Sequence, residues 1–444
     1  MTLTRQRLST IIGYATLVAT ALFVRVYYVL HSQPEIALRA DAGQYFRIAI
    51  NLVESGVYST AFPGHGTPSP DSYRSPGYPT LIALPLALSG DIGAAYWTIL
   101  LLQALLGAIG TLLVYRLGRQ WMGRGWSLAA ALIFAFWPHL IVQDASILTE
   151  SVFGFLLLCA VFTMSGALSS NRLVSWIASG SVFGAAALVN SMIVPLALAV
   201  SAWILIARER RSALIFAVLS LLPAAAWQAR DAKIDRPEVK TAGGRLFENV
   251  LIGLEPDFKP SYRDKEDPRA AAARQRVAEG STLYAHDRGK AYVWVFERIS
   301  QNPLKYLLWC LRKPQLLWAW DVAQGAGDIY IYPMLYSPFE GNTFYRVDAA
   351  VCFGANAPLM VAAFCSVILL AFKVFRRRLD DLNRAALLLC GVMFLYANVL
   401  YAVLEPDARY ANPFRAFEIL LAISLVAHMA LGFRKLRRSR TQSD

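Results

Sequence analysis

The chain has 444 residues, 56% of them hydrophobic and only 16% charged. A soluble globular protein carries roughly 25% charged residues, so the composition excludes that class in favour of a polytopic membrane protein. The net charge of +13 sits between hydrophobic segments, where it sets topology, so it does not argue for nucleic-acid binding.

Segments able to cross a hydrocarbon core, about 17 to 25 residues each, are read at Ile11 to Leu30, Ala94 to Tyr115, Ser127 to Ile141 with its flanks, and Ile147 to Leu168. They continue at Trp176 to Val189, Met192 to Ala207, Ala213 to Trp227, Ala349 to Phe372, Ala385 to Tyr401 and Phe414 to Phe433. About ten transmembrane helices are therefore expected, in an all-α polytopic fold. Arg5 and Arg7 precede the first segment as in a signal peptide, but Arg25 interrupts it and no small-residue cleavage pattern follows, so an uncleaved anchor is expected.

The positive-inside rule orients the chain. With the N-terminus inside, the inner loops carry Arg116, Arg119 and Arg124, then Arg172, then Arg208, Arg210 and Arg211, then Lys373, Arg376, Arg377, Arg378 and Arg384. The tail adds Arg434, Lys435, Arg437, Arg438 and Arg440, while the outer loops around His139, Asn190 and Glu405 are poor in basic residues. Both termini are thus expected to be cytoplasmic. The chain divides into a transmembrane module at 1–227 with its first outer loop at 31–93, an outer or interfacial segment at 228–348, and C-terminal helices with a basic tail at 349–444. Within the outer segment, the region around Pro256 to Glu279 reads as solvated, and LKYLLWCLRKPQLLWAW reads as chain packed at the interface.

The first outer loop is the most informative stretch. From Asp41 the pattern is helical, with Gln44, Arg47, Asn51 and Glu54 as a polar stripe opposite a broad apolar face, and Gly56 ends it. Such an amphipathic helix suits a membrane surface. Asp41 fits an N-cap, and it equally fits a general base acting on an acceptor hydroxyl or amine.

Further polar groups collect at the outer ends of the spans: Tyr73 and Arg74 in YRSPGYP, Asp144 and Glu150 in QDASILTES, and Glu405, Asp407, Arg409 and Tyr410 in LEPDARYANPF. Glu150 suits the start of a helix through its dipole, and it also suits a site, because ionisable groups at membrane depth are costly and usually functional. Asp144 reads as a solvated loop residue. Arg74 and Arg409 read either as structural partners or as phosphate ligands, for which the planar guanidinium fork is well shaped. Asp41, Asp144 and Glu150 leave a divalent cation open, ligated together with water and phosphate oxygens.

The five cysteines, Cys159, Cys310, Cys352, Cys365 and Cys390, form no C-x-x-C pair and indicate neither a metal site nor a disulfide framework. No phosphate loop, H-E-x-x-H zinc motif or G-x-S-x-G elbow is present, so a cytosolic nucleotide donor handled by a soluble domain is not expected.

The order of these features resembles the GT-C class of integral-membrane glycosyltransferases, in the family of protein O-mannosyltransferases and the aminoarabinose transferase of lipid A (glycosyltransferase family 39-like). The resemblance rests on Asp41, Tyr45 and Asn51-Leu52 leading to Gly56-Val57-Tyr58, on Arg74-Ser75-Pro76-Gly77-Tyr78-Pro79, on Thr149-Glu150, and on Arg409, Tyr410 and Pro413. It covers roughly the first two hundred residues and the C-terminal quarter.

The resemblance implies a GT-C-like fold and a polyprenyl-phosphate sugar as donor, with transfer at the extracytoplasmic face to a protein, lipid or polysaccharide, in a bacterial inner membrane. It also implies inversion at the sugar carbon, catalytic roles for Asp41 and Glu150, and substrate-binding roles for Tyr45, Tyr73, Arg74, Tyr78, Asp144, Arg409 and Tyr410. Relatives carry a second acidic residue beside the loop aspartate, whereas here Ala42-Gly43 follows. A transporter or flippase of a lipid-linked or anionic substrate is the alternative; it would show charges near mid-span and a two-fold repeat. A non-catalytic scaffold in an envelope-building complex is the third reading.

Overall fold

The computed structural model describes residues 2–64, 66–207, 209–234, 241–258, 266–322, 329–375 and 385–440. Arg208, Arg376, Arg377, Arg378 and Arg384 of the inner-loop set lie outside these residues.

The described chain is almost wholly helical. α1 (Thr2–His31), α2 (Ala40–Ser55), α3 (Gly77–Ser89), α4 (Ile92–Gly118), α5 (Arg124–Phe136), α6 (Pro138–Asp144) and α7 (Thr149–Ser170) form the first group. α8 (Leu173–Val189), α9 (Val194–Ala207) and α10 (Arg210–Asp231) follow. The outer segment supplies α11 (Ala242–Gly253), α12 (Pro268–His286), α13 (Arg288–Gln301), α14 (Pro303–Leu317) and α15 (Pro338–Gly341). The chain then closes with α16 (Thr343–Phe375), α17 (Ala385–Val403), α18 (Ala408–Ala411) and α19 (Arg415–Arg440). Two short strands, Gln33–Pro34 and Met334–Tyr336, pair antiparallel and join the first outer loop to the end of the outer segment.

Among the described residues seven helices are long and apolar enough to cross a membrane, or eight if the bent pair α5 and α6 counts as one span. The chain is a multi-pass integral membrane protein, but the expected ten spans are not reached by length. α8 has 17 residues and α9 has 14. At about 1.5 Å per residue these reach about 26 and 21 Å, short of a hydrocarbon core of about 30 Å.

α5 and α6 meet at a 52° bend. Pro138 opens α6, and its ring cannot continue the preceding hydrogen-bond ladder, so carbonyls at the end of α5 need other donors. Arg25 of α1 supplies them, donating to Ala135 O at 2.7 Å and Phe134 O at 3.2 Å while its Nε pairs with Asp144 Oδ2 at 2.8 Å. Room for this pair comes from Gly107 of α4, where a β-carbon would lie 2.4 Å from Asp144 Oδ2. Asp144 is therefore buried in an ion pair, not the solvated loop residue its sequence context suggests. A second buried pair joins Arg415 and Glu418 at 2.7 Å, with Arg415 also donating to Asn356 Oδ1 at 3.1 Å.

Candidate active site

α2 places the first carboxylate. Arg39 stands at its N-cap without a side-chain cap bond, so Asp41 does not cap the helix. It sits in the first turn instead, where the dipole favours a carboxylate and its oxygens are left for other partners. Ala40 adopts φ +47°, a left-handed conformation rare outside glycine, and a β-carbon at position 43 would lie 2.6 Å from Leu38 O. Only glycine at 43 fits that turn. The apolar face of α2, with Tyr45, Phe46 and Ala49, joins the same core as Tyr78 and Ile82 of α3. Gly56, at φ +66°, closes the helix by donating to Leu52 O.

The loop that follows is held by its own polar groups. Asn51 Nδ2 donates to Ser59 O and Ala61 O, both at 2.9 Å, and Tyr58 Oη donates to Arg74 O at 2.9 Å. Arg74 thus returns to α2, where it donates to Asp41 Oδ1 at 2.6 Å and, through Nε, to Gln44 Oε1 at 2.7 Å. Its guanidinium lies 5.0 Å from the Tyr45 ring centre and 5.2 Å from that of Tyr73. Gly77 then lets α3 approach the end of α8, since a β-carbon there would lie 2.9 Å from Leu188 O.

The other half of the site comes from the C-terminal quarter. Asp407 caps α18 by accepting from Arg409 N at 2.8 Å. This turns the Arg409 side chain back toward the first loop: Nη2 stands 3.4 Å from Asp41 Oδ2, and Nε stands 3.1 Å from Glu150 Oε1. Arg409 therefore bridges the two carboxylates that the sequence marks out. The Nη1 atoms of both Arg74 and Arg409 are buried without a hydrogen-bond partner.

The strand-like stretch before Arg409 is anchored by a residue the sequence reading missed. Lys313 of α14 is fully buried, and its ammonium donates to the carbonyls of Ala402, Val403 and Leu404 at 2.9, 3.2 and 3.1 Å. Ala402 and Val403 end α17 and Leu404 follows it, so these carbonyls lack partners within the helix. Gly253, at the end of α11, packs against the same carbonyls, because a β-carbon there would lie 2.3 Å from Val403 O.

Asp41, Tyr45, Tyr73, Glu150, Arg409 and Tyr410 all line one cavity of about 320 Å³. Arg245 of α11 lines it too, and its guanidinium lies 5.5 Å from the Tyr73 ring centre. No sequence signal singled out Arg245 or Tyr401, which faces the same space. The rest of the lining mixes apolar groups, among them Phe153, Met192, Leu246 and Leu400, with the polar Thr149, Asn190, Gln228 and Asn249.

Three of the residues expected to touch substrate lie elsewhere. Arg74 stands behind Asp41, away from the cavity lining. Tyr78 is fully buried and donates to Gln103 Oε1 at 2.7 Å, while Gln103 Nε2 donates to Asp144 O and Ser146 O. Tyr78 thereby braces the chain just ahead of Glu150. Asp144 is turned to Arg25.

The electrostatics follow from this arrangement. Burial raises the Asp41 carboxyl, but Arg74, Arg409 and Arg245 outweigh it and hold the group well below the usual carboxylate range. Burial also works against the Arg74 charge, and Tyr45, Asp41 and Tyr73 more than restore it.

The donor set does not fit a divalent cation. Asp41 offers each oxygen to a guanidinium, Glu150 Oε1 faces Arg409, and Asp144 is committed to Arg25. Among the described residues no three His, Cys, Asp or Glu side chains converge as a ligand set.

Helices and spans together define an all-α, multi-pass membrane protein. Residues 73–227 match the family model described as dolichyl-phosphate-mannose-protein mannosyltransferase, so the resemblance to GT-C glycosyltransferases holds over that stretch. A comparison of the sequence with curated proteins found no match.

Among solved structures, the oligosaccharyltransferase of Archaeoglobus fulgidus in its apo form is similar at 15% identity and a TM-score of 0.49, covering 96% of this chain and 52% of that one. Oligosaccharyltransferase AglB from the same organism, in complex with an inhibitory peptide and a dolichol-phosphate, matches at 17% identity, a TM-score of 0.48, and 96% and 52% of the two chains. ArnT from Cupriavidus metallidurans bound to undecaprenyl phosphate matches at 15% identity, a TM-score of 0.39, and 96% and 79% of the two chains. The chain spans about half the length of the archaeal enzymes.

Proposed function

We propose that this protein moves a sugar from a polyprenyl-phosphate donor to an acceptor at the extracytoplasmic face of the membrane. The observation that carries this reading is the Asp41–Arg409–Glu150 chain on the wall of a cavity whose lining divides into charged and polar groups and apolar ones such as Phe153, Leu246 and Leu400. A prenyl phosphate has the same division, an anionic head on an apolar tail. The family model matched over residues 73–227, described by a dolichyl-phosphate-mannose donor, suggests the donor class by analogy.

In this reading the acceptor hydroxyl or amine attacks the anomeric carbon from the face opposite the phosphate. The bond from that carbon to the phosphate oxygen breaks, its electron pair leaves with the phosphate, and the acceptor proton passes to Asp41, with inversion at carbon. Arg409 and Arg245 face the cavity and meet the charge that develops on the leaving phosphate, the electrostatic contribution that is usually the largest in catalysis. Arg409 also tunes the base. Once its guanidinium turns to phosphate, it holds Asp41 less strongly, and the carboxylate becomes a better proton acceptor. Arg74 and Glu150 act as positioning residues for Asp41 and Arg409.

The test uses purified protein in liposomes with a panel of polyprenyl-phosphate sugars and a cell-envelope extract as acceptor source, following release of free polyprenyl phosphate. Release by the wild type and its loss in Asp41→Asn, with folding intact, is the expected result. A fully active Asp41→Asn protein would overturn the base assignment, and no release from any donor would overturn the transferase.

A further inference from the structure

A second cavity of about 310 Å³ lies beside the first and shares Gln228, Ala242 and Gly243 with it as a common wall. It is lined on its own side by Ser72, Asp231, Thr241, Tyr284 and Arg288. Ser72 is the neighbour of Tyr73, which lines the first cavity, so the two spaces meet on both sides of one partition.

Asp231 is the unusual group here. Its side chain is only 9% exposed, and Oδ1 accepts from Arg230 Nη1 at 3.1 Å, but Oδ2 is buried without a partner. A carboxylate oxygen withdrawn from water and left without a donor is unfavourable, and a turn of the Asp231 side chain toward the cavity it lines would offer it one from a ligand. Its position is fixed from behind. Arg230 lies 4.6 Å from the Trp227 ring centre and 5.3 Å from that of Tyr58, and it donates to Asp71 O at 2.5 Å.

Opposite the carboxylate, Tyr284 is stacked on Phe247, with ring centres 4.5 Å apart and planes inclined by 19°. Gly243 lies on the shared wall, and a β-carbon there would lie 3.1 Å from Tyr284 Oη.

We propose that this second cavity is the acceptor subsite and that it takes a hydroxyl-rich, glycosyl-type unit; the inference rests on the transferase reading above. A carboxylate oxygen accepts a hydroxyl proton, the Gln228 amide both donates and accepts, and Ser72, Thr241 and Tyr284 add hydroxyls beside the Arg288 guanidinium. An apolar acceptor would leave Asp231 Oδ2 buried and unpaired. The volume lies at the lower end of the range for small-molecule pockets, about 300–1,000 Å³. A unit seated here would pass its reacting hydroxyl over Gly243 toward Asp41.

The test reads binding without donor, by saturation-transfer NMR on the full chain in detergent, with mannotriose and a serine- and threonine-containing hexapeptide as probes. The expected result is contact with mannotriose in the wild type, weakened about tenfold or more in Asp231→Asn, the worth of one hydrogen bond to a charged group. Tyr284→Ala is expected to weaken it as well, which keeps the test decisive if Asp231→Asn fails to fold. No contact with mannotriose, equal contact in the variants, or binding of the hexapeptide in its place would each overturn the proposal. Since no donor is present, failure here is separate from failure of the transferase reading, which the release assay decides alone.

Discussion

Arg409 Nη2 lies 3.4 Å from Asp41 Oδ2, a contact between residues 368 positions apart that closes the N-terminal loop onto the last span. The same guanidinium holds Glu150, so one side chain sets the spacing of both carboxylates. Lysine at this position keeps the charge but cannot hold two carboxylates and a phosphate through a planar fork. Arg409→Lys is therefore expected to slow polyprenyl-phosphate release about 10²–10³-fold in single-turnover assays, the usual cost of losing one preorganised donor to a developing charge. Glu150→Gln keeps the shape of the contact and is expected to cost less. Equal rates in wild type and Arg409→Lys would remove Arg409 from the reaction.

Lys313 gives a pH signature. Burial pushes its ammonium down to about 8, with Cys310 and Glu405 acting in the opposite sense, against an ordinary value near 10.5. Between these two values the unfolded chain holds the proton more tightly than the folded one, so the cost of burying the charge is relieved as pH rises. The unfolding midpoint of the wild type is expected to gain on that of Lys313→Arg, which stays charged, between about pH 8 and pH 10. A difference that stays flat across this window would show that Lys313 titrates normally. Lys313→Met is expected to lower turnover as well, because the stretch carrying Arg409 loses its anchor.

The Arg25–Asp144 pair sets a structural carboxylate apart from Asp41 and Glu150 on the cavity wall. Arg25→Leu or Asp144→Asn alone leaves one partner buried and unpaired, with an expected cost of about 3–5 kcal/mol in unfolding experiments in detergent. The double change to apolar residues is expected to recover most of that loss. Donor affinity should be unaffected in any variant that folds; a selective loss of donor binding in Asp144→Asn would return Asp144 to the site.

Chelation tests the donor set from the other side. Both oxygens of Asp41 face guanidinium groups, so a divalent cation would have to displace Arg74 or Arg409. Turnover is expected to persist in excess EDTA, measured by polyprenyl-phosphate release. Loss with EDTA and recovery with a single added cation would show that the ion displaces an arginine during the reaction.

Much of this architecture is legible in the sequence, because hydropathy is summed over many residues. The helix after Asp41 and its stop at Gly56 follow from local rules, since spacing and a left-handed glycine are read from neighbours alone. Asp144 shows where such rules end. Its surroundings look like a loop at a span end, and only the bend at Pro138, with Arg25 arriving from α1, explains its burial. Arg245 and Lys313 were invisible for a related reason: each lies in the outer segment, where no motif marks it, and gains meaning only from the distant residue it meets. The expected ten spans reflect apolar composition, and composition alone does not reveal that α8 and α9 are too short.

The buried pair that braces the bent span also constrains how the chain is made. Arg25 belongs to α1, and its carboxylate partner lies 119 residues later, so α1 is made before it. At about 5–20 residues per second, roughly 6–24 s of synthesis separate the two. Through that interval the first helix carries a charge that is costly at membrane depth. The partners that offset this cost, Asp144 and the carbonyls of Phe134 and Ala135, arrive only with α5 and α6.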